Sequence, residues 1–246
     1  MSLNLIVAID DYFGISKNND IPWNEPNDMS HFKDVTNDKI LIMGRRTWES
    51  IPNKTSFVHN RLCFILSNDV YNPVDSFTFS NHYFVNDINS ILNFCSVNYN
   101  TIDIFVIGGV DVYKLFLFNP KYNLKYVYIT RINGNYKCDQ NVKFLEDEIV
   151  NRGKLINSNV KQNLIFEVYK LYHPEYVYLN MLKSILYSGN LKNDRTNVGT
   201  ISKFGGGLSF SLRYNTIPLL TTKKTYWKGI VHELLWFING QTNVKF

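Results

Sequence analysis

A chain of 246 residues, 45% apolar and 19% charged, can bury an ordinary core, which excludes a disordered polypeptide. At roughly 100–200 residues per domain it holds one large domain or two small ones. Twenty-six Lys and Arg against 21 Asp and Glu leave a net charge of +5, which suits an anionic small molecule.

The basic residues do not gather into a stripe, finger or heptad, so a nucleic-acid partner is not expected. Cys63, Cys95 and Cys138 lie far apart without a C-x-x-C pair. That argues against a disulfide framework and against a structural metal. No run of about 18 apolar residues exists and the N-terminus lacks the basic-then-apolar pattern of a secretory signal. An intracellular, cytoplasmic protein with no membrane association is therefore expected.

Residues 3–9 (LNLIVAI) form a continuous apolar run, as a strand covered on both faces requires. A turn-rich loop over residues 10–23 follows. Pro26 then sits at the first position of a helix, on which Asp28, Phe32 and Val35 share a face. Residues 39–43 (KILIM) read as a strand that passes through Gly44 into a short helix at Arg45-Arg46-Thr47-Trp48. A third strand covers 61–66 (RLCFIL). A helix over 87–96 leads to a strand at 102–107, the Gly108-Gly109 pair and a helix over 110–117. Later strands are predicted at 126–130 and 164–172. Strands alternating with short helices predict an α/β fold, a mixed, mainly parallel sheet with flanking helices. The pattern changes near residue 173. A helical period over 175–188 is followed by a polar stretch, a strand-like segment at 208–212 and a very apolar helix around 231–238. Two parts are expected, 1–172 and 173–246.

One carboxylate stands out for chemistry. Asp28 lies in the first turn of its helix, just after the apolar Pro22-Trp23, and shares a face with Phe32. Desolvation there would raise its pKa and ready it for proton transfer. Its side chain could also receive two parallel hydrogen bonds from an amidine-like edge. An Asp in a first helical turn equally serves to oppose the dipole. Three strand ends form a second feature: Met43-Gly44, Ser67 and Ile107-Gly108-Gly109. Ligands of open parallel sheets bind outside such ends, and helix N-termini offer N–H groups to phosphate. Arg45, Arg46 and Thr47 add charge and a hydroxyl. A G-x-G-x-x-G fingerprint is absent, and a Gly-Gly pair alone is more often a tight turn.

The series Val7-Ala8-Ile9, Gly14-Ile15, Asp20-Ile21-Pro22-Trp23-Asn24, Asp28 with Phe32-Lys33, Met43 to Pro52, Arg61, Leu66-Ser67, Ile107-Gly108-Gly109 with Tyr113, and Tyr128-Ile129-Thr130 resembles the dihydrofolate reductase family. The resemblance implies reduction of 7,8-dihydrofolate with NADPH. It makes Asp28 the acid that holds the pterin and promotes N5 protonation, with Thr130 supporting it and Trp23 packing on a mobile loop. It places Phe32 and Ile51 on either side of the substrate and Arg61 on its glutamate carboxylate. Ile6, Val7, Ile107 and Tyr113 fall on the same substrate side. Ala8 and Ile15 are implied to hold the nicotinamide carboxamide. Gly44, Arg45, Arg46, Thr47, Ser67 and Asn68 are implied at the cofactor's phosphates, and Gly108, Gly109 and Val110 at its close approach. Ser16 stands where the family often has Gly, and Asn68 where a hydroxyl or basic residue is common.

Residues 173–246 resemble the beginning of thymidylate synthase through Asn193-Asp194-Arg195-Thr196, Gly199-Thr200, Ser202-Lys203-Phe204-Gly205, Phe210 to Arg213, Pro218 to Lys224 and Glu233 to Phe237. That likeness implies Arg195 on the dUMP phosphate, Glu233 on active-site water and folate, methylenetetrahydrofolate as cosubstrate, and a homodimer through a complete synthase half. The family's nucleophile is a Cys in a Pro-Cys-His stretch, and none of the three cysteines is so flanked. Synthase activity is therefore expected to be absent from these residues. The second part is also expected to be loosely packed, because so short a segment seldom holds a core without staples. Two readings of other classes compete: a pterin- or nucleotide-binding protein with decayed catalysis, and a module whose second part docks a partner. Dihydrofolate-dependent NADPH oxidation separates them from the enzyme.

Overall fold

The computed structural model describes residues 1–68, 81–173, 175–193, 198–210, 217, 220, 222–240 and 242. The chain divides into two compact units, Met1–Pro174 and Glu175–Phe246.

In chain order the first unit contains β1 (Leu3–Ile9), β2 (Gly14–Ser16), α1 (Pro26–Thr36), β3 (Lys39–Gly44), α2 (Arg45–Ser50), α3 (Lys54–Val58), β4 (Arg61–Leu66) and β5 (His82–Val85). It continues with α4 (Ile88–Asn98), β6 (Ile104–Gly108), α5 (Val110–Phe118), β7 (Tyr126–Ile132), β8 (Gln140–Asn141), α6 (Phe144–Arg152), β9 (Gly153–Lys161) and β10 (Leu164–Leu171). Eight strands form one sheet in the order β5-β4-β3-β6-β1-β7-β10-β9. Every pairing from β5 to β7 is parallel, and β10 and β9 add on antiparallel. The fold is the mixed, mainly parallel sheet expected from the alternating elements.

Strand alternation splits the core into two faces. Leu5, Val7 and Ile9 of β1 join Ile40, Ile42 and Val106 beneath α4, α5 and α6, whose Ile91, Phe116 and Leu145 are buried there. Ile6, Leu41, Met43, Cys63 and Phe105 point to the opposite face, where Phe32 of α1, Trp48 of α2 and Phe57 of α3 cover them. Both faces are dry, which is why these strands read as unbroken apolar runs.

Several boundaries differ from the sequence reading. The loop over 10–23 contains β2, which pairs with β8. Asp87 is the N-cap of α4, its carboxylate accepting from Asn89 N and Ser90 N, so the helix starts at Ile88 and runs on to Asn98. The strand expected at 102–107 begins at Ile104 and takes in Gly108. The short α3, the two-residue β8, α6 and the polar strand β9 (GKLINSNVK) carry too weak a period to be read from the sequence.

The second unit contains α7 (Tyr176–Ser188), the antiparallel pair β11 (Asn190–Lys192) and β12 (Thr200–Ser202), and α8 (Trp227–Ile238). Lys203 Nζ donates to Ser184 Oγ at 2.9 Å and Ser188 Oγ at 3.2 Å. Neither α7 nor α8 has a buried residue. The strand expected at 208–212 is not formed at Leu208–Phe210, which is irregular; residues 211 and 212 lie outside the described residues. Among the described residues no helix is long and apolar enough to cross a membrane.

Candidate active site

The helix α1 starts where Pro26 makes it start: Glu25 is extended at φ −120° and Pro sits in the first turn. That entry places Asp28 in the first turn with its side chain turned inward, 7% exposed. Burial raises the carboxyl above the ordinary carboxylate range, and the nearby Glu25 adds to the rise. The nearby Thr130 and the Trp23 indole pull it the other way. Thr130 is buried on β7 directly across from Ala8 of β1. Trp23 Nε1 is buried and completes no hydrogen bond at direct distance among the described residues. An Asp that only opposed the helix dipole would stay solvated; this one is desolvated among polar groups that face it.

Along α1, Asp28, Phe32 and Thr36 succeed one another at four-residue spacing, so Asp28 and Thr36 are about 12 Å apart along the axis. Arg61, at the start of β4, marks the far end. Its Nε donates to Thr36 Oγ1 at 3.1 Å and its Nη1 to the Phe57 carbonyl at 2.8 Å. The guanidinium lies 5.7 Å from the Phe32 ring centre and 5.2 Å from that of Phe57. Ile6, Phe32, Ile51 and Ile107 belong to one apolar cluster between these ends. The site is a slot with an acid at one end, a fixed cation at the other and hydrocarbon between. Phe57 was not found from the sequence, because α3 has five residues and begins only through the Asn53 side chain accepting from Ser56 N.

Val7, Tyr113 and Trp23 are all buried. The Val7 side chain is buried with Leu5 and Ile9 on the face of β1 opposite to Ile6, since neighbouring strand residues point to opposite sides. Tyr113 is buried in that same cluster, and its hydroxyl donates to the Ile6 carbonyl at 2.8 Å. Trp23 packs with Ile132, Leu164 and Phe166, and edge-on to Tyr136 at 5.3 Å.

The carboxyl ends of β3, β4 and β6 lie side by side: Gly44 is opposite Leu66, and Met43 is opposite Gly108. The Gly108–Gly109 peptide is cis and Gly108 has φ +115°. A Cβ on Gly44 would lie 3.1 Å from Val112 Cγ2 and 3.8 Å from the Gly108 carbonyl. One on Gly109 would meet Thr47 Oγ1 at 3.6 Å. Side chains are thus kept off the rim where α2 and α5 begin, leaving backbone N–H groups accessible. Ser67 N donates to the Val85 carbonyl at 3.1 Å. Arg45 pairs with Glu49 at 2.8 Å on the surface, and Arg46 and Asn68 are exposed. Ile15 and Val110 are half-buried against the β1 core, and Ala8 lies beside the Trp23 cluster. In the second unit Glu233 is exposed on α8, and Arg195 lies outside the described residues. Among the described residues no cluster of His, Cys, Asp and Glu could hold a metal.

Open, mainly parallel α/β sheets bind their ligands beyond the carboxyl ends of the strands, which is where the glycine-lined rim stands. The family model for dihydrofolate reductase matches residues 2–169, and that for thymidylate synthase matches residues 176–246. The chain belongs to the dihydrofolate reductase family. It is 33% identical to bifunctional dihydrofolate reductase-thymidylate synthase 1 of Arabidopsis thaliana, over 98% of this chain and 54% of that protein. It is 34% identical to the second such protein of that plant, over 98% of this chain and 50% of the relative. The corresponding protein of Leishmania amazonensis is 32% identical, over 99% and 54%. The chain thus spans about half the length of these relatives.

Proposed function

We propose that the first unit reduces 7,8-dihydrofolate to tetrahydrofolate with NADPH. The carrying observation is the slot itself: buried Asp28, raised above the ordinary carboxylate range, with Arg61 beyond Phe32 at the other end. Its span of about 12 Å along α1 suits a pterin joined through an aromatic ring to a carboxylate. The rim fits a dinucleotide, because at Gly44 and Gly109 a side chain would stand where a phosphate must approach backbone N–H groups. NADPH, when bound there, supplies the hydride that reduces C6 of the pterin.

The chain's own residues do the rest. The Asp28 carboxylate accepts from the pterin's amino and ring N–H groups and so orients it. Its raised pKa leaves it more readily protonated than an ordinary carboxyl, which favours protonation of N5, the atom that must gain H⁺ as C6 gains hydride. Thr130 lies close enough to favour the charged form of the carboxyl and so moderates the effect of burial. Ile6, Phe32, Ile51 and Ile107 exclude water, which keeps the hydride from the solvent and the acid desolvated.

Oxidation of NADPH followed at 340 nm, with and without dihydrofolate, tests the reading: oxidation must depend on the folate. NADPH should exceed NADH in kcat/KM by about 10–100-fold, the worth of charge-assisted contacts from Arg45, Arg46 and Thr47 to one extra phosphate. Equal values for the two cofactors would remove these residues from the cofactor site.

Arg61→Ala should raise KM for dihydrofolate roughly tenfold or more while kcat changes little, because the lost contact lies far from the reacting ring. An unchanged KM would make Arg61 only a brace between Thr36 and Phe57.

For the second unit, we propose that residues 175–246 do not convert dUMP to dTMP alone, since they contain no cysteine to supply the thiolate. Methylenetetrahydrofolate, dUMP and a homodimer belong to a complete synthase half. Appearance of dTMP from the 246-residue chain given dUMP and methylenetetrahydrofolate would contradict this.

A further inference from the structure

A second buried carboxylate follows β1, and the chemistry above does not use it. Asp10 follows β1 directly, two residues beyond Ala8, and is 3% exposed. Its two oxygens are divided between two segments. Oδ1 accepts from Tyr12 N at 2.9 Å and Gly14 N at 2.7 Å, shaping the turn that leads into β2. Oδ2 accepts from Tyr136 N at 3.2 Å and from the Cys138 thiol at 3.6 Å, on the loop that leads into β8. The backbone of the same residue completes the turn: Asp10 N donates to the Gly14 carbonyl, and Phe13 N to the Asp10 carbonyl, both at 3.0 Å.

The junction is too tight for substitutes. A Cβ on Gly14 would stand 2.5 Å from Cys138 Cβ and 2.9 Å from Asp10 Oδ1. Phe13 is held at φ +61°, with its ring 5.7 Å from the Arg131 guanidinium. The next residue along is Ile15, half-buried against the β1 core. Ile15 and Ala8 are the two residues that the family resemblance implies at the nicotinamide carboxamide. One buried carboxylate thus fixes the backbone immediately before Ile15 relative to the end of the strand that carries Ala8. Buried acceptors bonded to several N–H groups are among the stiffest links a loop can have.

We infer that Asp10 is a positioning residue for the nicotinamide end of the cofactor, acting through Gly14 and Ile15 by clamping the β2 turn to the 134–138 loop. The inference rests on the NADPH-dependent reading of the first unit. It predicts a split between ligands. The folate slot takes Asp28, Phe32, Phe57 and Arg61 from α1, α3 and β4, none of which bonds to Asp10, whereas the β2 turn is held by Asp10 directly.

The test is equilibrium NADPH binding, read by tryptophan fluorescence without folate, set beside steady-state KM values on the 246-residue chain. Asp10→Asn keeps the size and one acceptor but turns an N–H₂ toward donors. It should weaken NADPH binding roughly tenfold and leave KM for dihydrofolate within about twofold. The pH profile of turnover should keep its shape, because Asp28 is untouched. Cys138→Ala removes one donor to Oδ2 while the carboxylate stays, so it should weaken NADPH binding in the same direction by a smaller factor. It serves as the deciding variant if Asp10→Asn does not fold. Unchanged NADPH affinity in the folded variants overturns the inference, as does an equal loss of affinity for both ligands. If the wild-type chain neither binds NADPH nor oxidises it with dihydrofolate, the functional reading itself fails, a result distinct from either.

Discussion

Asp28→Asn is expected to lower turnover at neutral pH by orders of magnitude while the protein stays folded. The loss should shrink as the pH falls, because hydronium from solution can then deliver the proton that the carboxyl no longer relays. Stability should move the other way. Desolvation raises the Asp28 pKa in the folded chain above its unfolded value. Such a group favours folding below its unfolded pKa, and that contribution is lost as pH rises through the folded pKa. At neutral pH the native protein therefore carries a buried carboxylate at a cost that Asn does not share. Denaturant midpoints for Asp28→Asn should exceed those of the wild type at pH 7, with the gap closing below the ordinary carboxylate range. Near-normal turnover at pH 7 would end the catalytic assignment. A variant less stable than wild type at pH 7 would mean that hydrogen bonding to Thr130 outweighs desolvation.

The second large effect is expected at Gly108. Its φ of +115° lies where a side chain is strained. A Cβ there would stand 3.1 Å from both Cζ and the hydroxyl oxygen of Tyr113. The ring cannot swing away freely, because that hydroxyl is buried and donates to the Ile6 carbonyl at 2.8 Å. Gly108→Ala should therefore destabilise the first unit by about 1–3 kcal/mol from backbone strain, with a further loss if the Tyr113 bond breaks. NADPH affinity should fall too, since the same peptide forms the rim between β6 and α5. Gly205→Ala is the matched control: its φ is +77°, but a Cβ there meets nothing within 4 Å. Equal denaturation midpoints for Gly108→Ala and the wild type would show that the rim can relax.

The sequence alone determined the strand runs 3–9, 39–43 and 61–66 and the helix starting at Pro26, with Asp28 on its inward face. Each rests on a local rule: an unbroken apolar run for a strand covered on both faces, proline at a helix start, and an i, i+4 face. What it could not determine depended on partners distant in the chain. That Asp28 is desolvated, rather than solvated at a helix end, was decided by its burial, with Thr130 nearby from about a hundred positions away. The direction of Val7 was decided by which face of the sheet α4 and α5 cover. Phe57 and Asp10 escaped notice because one sits on a helix of five residues and the other in a polar turn, where no period exists to read. Only the sheet order, with β6 inserted between β3 and β1, brought Gly44 against Gly108 and made three separate strand ends into one rim. A local pattern fixes what a segment becomes, because backbone geometry and hydrophobic period act over a few residues. A site forms where segments meet, and that meeting is set by the packing of the whole sheet.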